Sequence, residues 1–453
     1  MTVDGNFTER LAAYIANLKY EDLPVAVVQQ AKKVILDGLG CQIACSLLEN
    51  GRLIIRFGRT LGGKREASVP GSNYKTTVIN AALVNGTLGH GDEIDETMEE
   101  VGHAAAVVVP AALACGERER ASGKDMIAAV VAGYEMAGRL ANAGLANSVL
   151  KGMSRVVPYT FEGAATASNM LKLGAGKTRT AFGLASCQAG GLWDIGSEAR
   201  HMTKSFRHGA GARNGVTSAL LAKMGYDGPQ FVFDGDNNVL SACVGKNYDP
   251  AQLTRNLGQQ FVIMGACFKL YAAGHPIHAP AYGLLKILAR EGIAAVQIKS
   301  ITVHQPEFEQ KAVDNRDMPE VNIQYSLAVA AFDRQLTWDQ YTPERMRDPK
   351  VLALKSRVRS IHDPKLDELK KRTRARSAEV ELETRDGRYF SETVDYPPGD
   401  PGNPISREDI EKKVIYYAAK VIGNEKSRGL VEAVNNLVAI PDLNQLGNLV
   451  RLK

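Results

Sequence analysis

Residues 378–422 read AEVELETRDGRYFSETVDYPPGDPGNPISREDIEKKVIYYAAKVI, and the fold turns on how this stretch changes character. Residues 378–394 alternate apolar and polar side chains on both sides of Asp386 and Gly387, a dipeptide favoured in type I′ turns, so they predict a β-hairpin. Residues 397–404, PPGDPGNP, can be neither helix nor good strand. Ser406 with Asp409 then forms a capping box that opens a helix through Ile422. The chain leaves a β-containing region here and returns to helix.

The pattern upstream completes that picture. Leu11, Tyr14, Ile15 and Leu18 follow i, i+3, i+4, i+7 spacing, and Val27, Ala31, Val34 and Ile35 repeat it behind Pro24. Helical pattern then continues to about residue 265, with segments at 78–88, 104–115, 126–141, 163–173, 178–189 and 210–224 that are rich in Ala and Gly. Small residues serve little purpose on a solvated helix but let buried helices approach closely. Beyond residue 266, Ile298, Ile301 and Val303 mark a strand over 296–304, 358–361 reads as another, and 325–332 as a helix. The expected fold is mainly α: a large all-helical domain formed by both chain ends, 1–265 and 405–453, with a smaller α+β lid domain, 266–404, inserted between them.

A chain of 453 residues with 45% apolar and 23% charged residues can bury a large core. Its formal net charge of +5 is too small and dispersed for a nucleic-acid binder. The apolar run 104–115 is too short to span a bilayer, and the N-terminus shows no basic region followed by an apolar one. The six cysteines, Cys41, Cys45, Cys115, Cys187, Cys243 and Cys267, form no CxxC pair and read as small buried hydrophobes. A cytoplasmic protein without nucleic-acid or membrane partners is expected.

Four segments could carry chemistry. Gly174 to Thr178, GAGKT, mimics the end of a phosphate-binding loop, but Leu171 occupies the required earlier glycine position and no strand precedes it. A helix ending at Gly174, followed by a Thr178 cap, accounts for it. Residues 89–103, GHGDEIDETMEEVGH, hold two histidines and six carboxylates. They read either as a solvated loop or as a cavity lining, with a metal site as a third alternative. His103, at the mouth of an apolar helix, is best placed for acid/base work. Residues 200–213, RHMTKSFRHGAGAR, set Arg200, Lys204 and Arg207 or His208 on one helical face, either a basic surface or a site for a multiply anionic substrate. Residues 267–278, CFKLYAAGHPIH, bring Lys269, His275 and His278 to the expected domain junction, where a histidine could equally be a satisfied core residue.

Taken in order, these segments, together with DGLGCQIACS, GYEMAGRL, EGAATASNMLKLG and QYSLAVAAFD, resemble the MmgE/PrpD family, which includes 2-methylcitrate dehydratases, cis-aconitate decarboxylases and an iminodisuccinate epimerase. The resemblance implies a helical domain with a lid, a homodimer, a small carboxylate substrate, and no metal or organic cofactor. It implies catalytic roles for His103, Lys204, Lys269 and Tyr325. Glu93 (where an Asp is usual), Thr97, Ser154, Arg207, His208, His275 and His278 would line the substrate site. One departure stands out. Where the dehydratase and decarboxylase branches carry a Gly-aromatic-His element, this chain has Gly152, Met153 and Ser154, and serine without a partner is no base at neutral pH. The expected activity is a cofactor-independent, dehydratase-like lyase acting on a di- or tricarboxylate. The alternatives are an epimerase or isomerase using the same pocket and a non-catalytic carboxylate-binding protein.

Overall fold

The computed structural model describes residues 6–192, 198 and 200–452. The chain divides into two compact units, the first built from residues up to 192, 201–266 and 406–452, the second from Cys267–Ile405 together with residues 198 and 200.

The first unit is a helical assembly packed through small residues. Helices α1 (Val78–Gly89), α2 (Ala105–Glu119), α3 (Gly123–Asn142), α4 (Val156–Met170) and α5 (Thr203–Met224) form its centre. Every residue of α2 from Ala105 to Glu117 is buried, as expected for a helix apolar on all faces. The Ala- and Gly-rich composition acts here through distance. A Cβ placed on Gly86 of α1 would lie 2.8 Å from the Cα of Gly209 on α5, so the two backbones touch where neither residue has a side chain. The C-terminal helix Arg407–Asn435 opens with the Ser406–Asp409 capping box and packs along the early helix Val25–Cys45, where Lys413 forms a buried 2.6 Å ion pair with Asp37. Gly423 interrupts it with φ 80°, so the regular helix ends at the expected Ile422 and a second begins beyond.

Three expectations for this unit need correction. It is not wholly helical: Ala67–Ser68 pairs antiparallel with Lys75–Thr76, two-residue strands too short to show a period. Helical pattern also overreaches toward residue 265. After α5 the described regular structure is one short helix, Val239–Val244, with single 3₁₀ turns. The GAGKT segment departs from expectation: the preceding helix closes at Met170 rather than at Gly174, and Thr178 caps no helix. Gly174 is the N-cap of helix Ala175–Ser186, and Thr178 is a buried residue inside that helix.

The second unit holds a four-stranded sheet of β1 (Ile298–Gln305), β2 (Val358–His362), β3 (Ala378–Thr384) and β4 (Tyr389–Val394), in the order β2-β1-β3-β4. β1 and β2 are parallel, and the other pairs antiparallel. A register shift between Ile298 and Ser300 explains why Ile298, Ile301 and Val303 are all buried although their numbers break strict alternation. β3 alternates buried and half-buried residues along its length. Helices His278–Arg290 and Ile323–Asp333 share its core. The β3–β4 hairpin forms as predicted, with a different turn. Only Gly387 has positive φ, at 87°, whereas a type I′ turn requires it at both central residues. Thr384 N–H donates to the Arg388 carbonyl at 2.9 Å, and Arg385 to Gly387 form a three-residue loop with glycine in the left-handed position.

Candidate functional site

The charge-dense segment between α1 and α2 resolves into two parts. Glu93, Asp95 and Glu96 are buried, while Glu99 is half-buried and Glu100 exposed, so the solvated-loop reading holds only for the segment's far end. His90 caps the C-terminus of α1 and His103 stands just ahead of α2. The loop folds back on itself between them. Met98 and Gly102 exchange backbone hydrogen bonds of 2.7 and 2.9 Å, Glu100 and Gly102 adopt positive φ, and Arg155 at the start of α4 donates to the carbonyls of Glu100 and Val101 at 2.6 and 3.0 Å. Thr97 closes the turn by donating from Oγ1 to the Gly102 carbonyl at 3.3 Å.

This fold places Asp95 between two imidazoles. Its carboxylate lies 2.9 Å from Nδ1 of His90 and 3.0 Å from Nδ1 of His103, and His103 Nδ1 also lies 3.1 Å from the Glu96 carbonyl. The Asp95 and Glu96 oxygens beside His103 Nδ1 are acceptors, so that nitrogen carries a proton, and in the neutral ring Nε2 holds the lone pair. The close contact of α1 with α5 brings further imidazoles against His90: the ring of His201 at 4.8 Å and that of His208 at 4.5 Å, with His103 at 3.9 Å on another side. His208 stacks on Tyr159, its Nε2 3.1 Å from the phenol oxygen. Burial pushes the His90 and His208 imidazoles well below the ordinary histidine range, reinforced for His90 by His103 and for His208 by Arg207. Both rings are therefore neutral.

Glu93 organises the opposite side. Its carboxylate forms an ion pair with Lys204 in the first turn of α5, and the same oxygen lies 3.3 Å from His201 Nε2 and 3.9 Å from His90 Nε2. Exposure divides the four rings into two pairs: the His103 and His201 side chains are 11% and 7% exposed, whereas His90 and His208 are sealed. Arg207 is buried beside Tyr159 and His208. Ser154 is buried as well, its Oγ accepting the Val156 N–H at 3.3 Å at the entrance to α4. Arg200 precedes the first turn of α5, so the expected helical face begins at Lys204.

Behind this cluster lies a second layer of buried acids. Glu96 accepts the Ala105 N–H at 3.2 Å, fixing the start of α2, and burial raises its carboxyl well above the usual range. Glu162 on α4 is fully buried and pushed up to about 8.

The remaining candidates lie in the second unit. Lys269, His275, His278 and Tyr325 are all buried. His278 Nε2 lies 3.1 Å from the Ala273 carbonyl, with the Tyr271 and His275 rings at 5.2 and 5.4 Å. The Tyr325 hydroxyl donates to the Gln340 carbonyl, and burial pushes its pKa up to about 12.

Of the residues singled out from sequence, His103, Glu93, Lys204, Arg207 and His208 gather in the first unit with Thr97 and Ser154 at its edges, while the other four group in the second. Sequence reasoning missed three members. Asp95 and His90 stood in the quoted segment without individual roles, although their five-residue separation across a helix end lets a carboxylate turn back onto the ring. His201 stood unremarked three residues before Lys204.

Comparison with known proteins places this geometry in context. Residues 9–251 match the MmgE/PrpD N-terminal domain and residues 271–438 the MmgE/PrpD C-terminal domain. The chain is 27% identical to the cis-aconitate decarboxylase-like protein oryM of Aspergillus oryzae, over 99% of this chain and 98% of that protein. It is 27% identical to human cis-aconitate decarboxylase, with 98% and 95% covered. Against the mitochondrial 2-methylcitrate dehydratase of Yarrowia lipolytica the identity is 26%, with 89% and 82% covered. With both domain models matched in order over most of its length, the chain belongs to the MmgE/PrpD family.

Proposed function

We propose that this protein is a lyase acting on a small di- or tricarboxylate, either removing a proton next to a carboxylate as water leaves or delivering a proton to the carbon from which carbon dioxide leaves. The observation that carries this reading is Asp95 bridging the Nδ1 atoms of His90 and His103. With Nδ1 held by acceptors, His103 Nε2 is the base, and the buried Asp95 carboxylate compensates the charge that a substrate proton brings to the ring. His90, neutral and sealed, packs against His103 without competing for that proton. Lys204, kept in place by Glu93, with Arg207 nearby, supplies cationic groups for the substrate carboxylates and for the enolate-like charge that builds as the proton leaves. In this reading no metal or organic cofactor takes part. Tyr325 could serve as a second proton carrier only after giving up its bond to Gln340. The relatives named as decarboxylases and dehydratases support this class of reaction.

Ser154 favours a second reading. Its hydroxyl accepts a backbone N–H at the start of α4 and offers no imidazole for protonating a leaving group. A reaction without a leaving group, epimerisation at the carbon next to the carboxylate, needs only removal and return of a proton. Proton NMR in D₂O of chelator-treated protein with citrate-like, aconitate-like, tartrate-like and aminosuccinate-like acids separates the two. New vinyl signals or loss of carbon dioxide are expected for the lyase. Deuterium entering the α-position without net elimination would replace it by the epimerase, and silence across the panel would count against both.

A further inference from the structure

We propose that His90, Glu93 and His201 form a binding site for a borderline-soft divalent cation such as zinc, one that competes with Lys204 for Glu93 and so inhibits turnover. The three candidate ligand atoms, His90 Nε2, Glu93 Oε1 and His201 Nε2, lie within 4.8 Å of one another. Two of the separations are 3.3 and 3.9 Å. Tetrahedral zinc with bonds of about 2.0–2.1 Å needs ligand atoms roughly 3.3–3.5 Å apart, so closing the site takes small side-chain adjustments.

Two observations separate this cluster from an ordinary buried ion pair. His90 is fully buried, and its Nε2 has no hydrogen-bond partner among the described residues while facing the Glu93 carboxylate. Its other nitrogen is held at 2.9 Å by Asp95, the carboxylate–histidine arrangement that fixes a metal-binding tautomer and raises the basicity of the ligating nitrogen. Two imidazoles and one carboxylate select zinc or cobalt over magnesium, which prefers all-oxygen surroundings. The Lys204 ammonium rests on the same Glu93 oxygen, so a dication enters by displacing one positive charge with two. The same three residues would thus serve turnover when Lys204 holds Glu93 and block it when a metal does.

The test is titration of the chelator-treated full chain with Co²⁺, read by the visible d–d absorption of low-coordinate cobalt, with Zn²⁺ back-titration and Mg²⁺ as the hard-cation control. One saturable equivalent, displaced by Zn²⁺ and untouched by Mg²⁺, is expected. His201→Ala should weaken Co²⁺ binding at least a hundredfold, and Lys204→Met should tighten it about tenfold by removing the competing cation. Glu93→Gln, a near-isosteric change, gives the same answer should His201→Ala fail to fold, and His362→Ala should leave the titration unchanged. No cobalt band, or equal affinity in the wild type and in both His201→Ala and Glu93→Gln, would overturn the proposal. The inhibitory part rests on the proposed function, whereas the absorption does not, so either can fail without the other. If cobalt binds and turnover survives saturating Zn²⁺, inhibition is excluded.

Discussion

Two regions of this chain, residues 90–103 with the start of α5 and residues 267–278, gather histidine and lysine, and they do so in opposite ways. In residues 90–103 the imidazoles meet a carboxylate: Asp95 faces two of them, and Glu93 faces His201 and Lys204. In residues 267–278 the fully buried His278 turns Nε2 toward a backbone carbonyl and is surrounded by the rings of Tyr271 and His275. An imidazole beside a carboxylate can accept a proton at small cost, because the charge it gains is matched on the spot. A backbone carbonyl carries no net charge, so the one beside His278 does not match a charge on the ring in that way. Burial and residue type are shared by the two regions, so neither identifies a proton-transfer site by itself; a carboxylate against the ring does.

The sharpest way to break this contrast is paired substitution. His103→Ala should lower turnover by roughly 10²–10⁴-fold with the KM for the substrate within a few-fold, in steady-state assays on the acid identified by NMR. His278→Ala should instead destabilise the fold by about 1–3 kcal/mol, measured by denaturant unfolding, with a much smaller effect on turnover. Equal turnover losses in the two variants would erase the distinction. Next in size, Asp95→Asn keeps the hydrogen-bonding shape but removes the charge, and a turnover loss on the order of 10–10²-fold is expected. Without the carboxylate the His103 imidazolium is less favoured, so the acidic limb of the pH–rate profile should move to lower pH; an unmoved limb would reduce Asp95 to a structural residue.

A smaller effect probes the acids behind the site. Glu162 is pushed up from 4.5 to about 8 in the folded protein, so it holds its proton there more tightly than in the unfolded chain. Its contribution to stability is fully present below about pH 4.5 and is lost as pH rises through about 8. Glu162→Gln should therefore melt like the wild type at pH 5 and roughly 3–6 °C higher at pH 9, and an equal gap at both values would show that Glu162 does not titrate in this range. The least effect is expected from Tyr325→Phe. Loss of the bond to Gln340 should cost about 1 kcal/mol with turnover changed less than tenfold, and a hundredfold loss would instead make Tyr325 the second proton carrier.

Much of the fold was legible in local sequence. The Ser406–Asp409 box, the Pro/Gly boundary and the Ala-rich helices each depend on neighbours within a few positions, so their signals survive in one dimension. The two-residue strands near Ala67 and Lys75 are too short to carry a period, and the Asp386–Gly387 turn depended on φ values that the dipeptide alone does not decide. The site was legible in parts. Glu93, His103 and Lys204 stood in segments whose charge drew notice. The pairing of Glu93 with Lys204 and His201, and of His90 with His208, spans more than a hundred residues of chain and exists only because α1 and α5 touch. The double acceptor role of Asp95 was hidden for a different reason: six acids within nine positions look alike until the loop turns three of them away from bulk water.

The contact of Gly86 with Gly209 sets a tolerance in the machinist's sense. His90 lies four residues beyond Gly86 on one helix, and His208 adjoins Gly209 on the other, so the thickness of whatever separates the helices becomes the spacing of the imidazoles. A single methyl group at either glycine would act as a shim, displacing one half of the constellation from the other while leaving each chemical group intact.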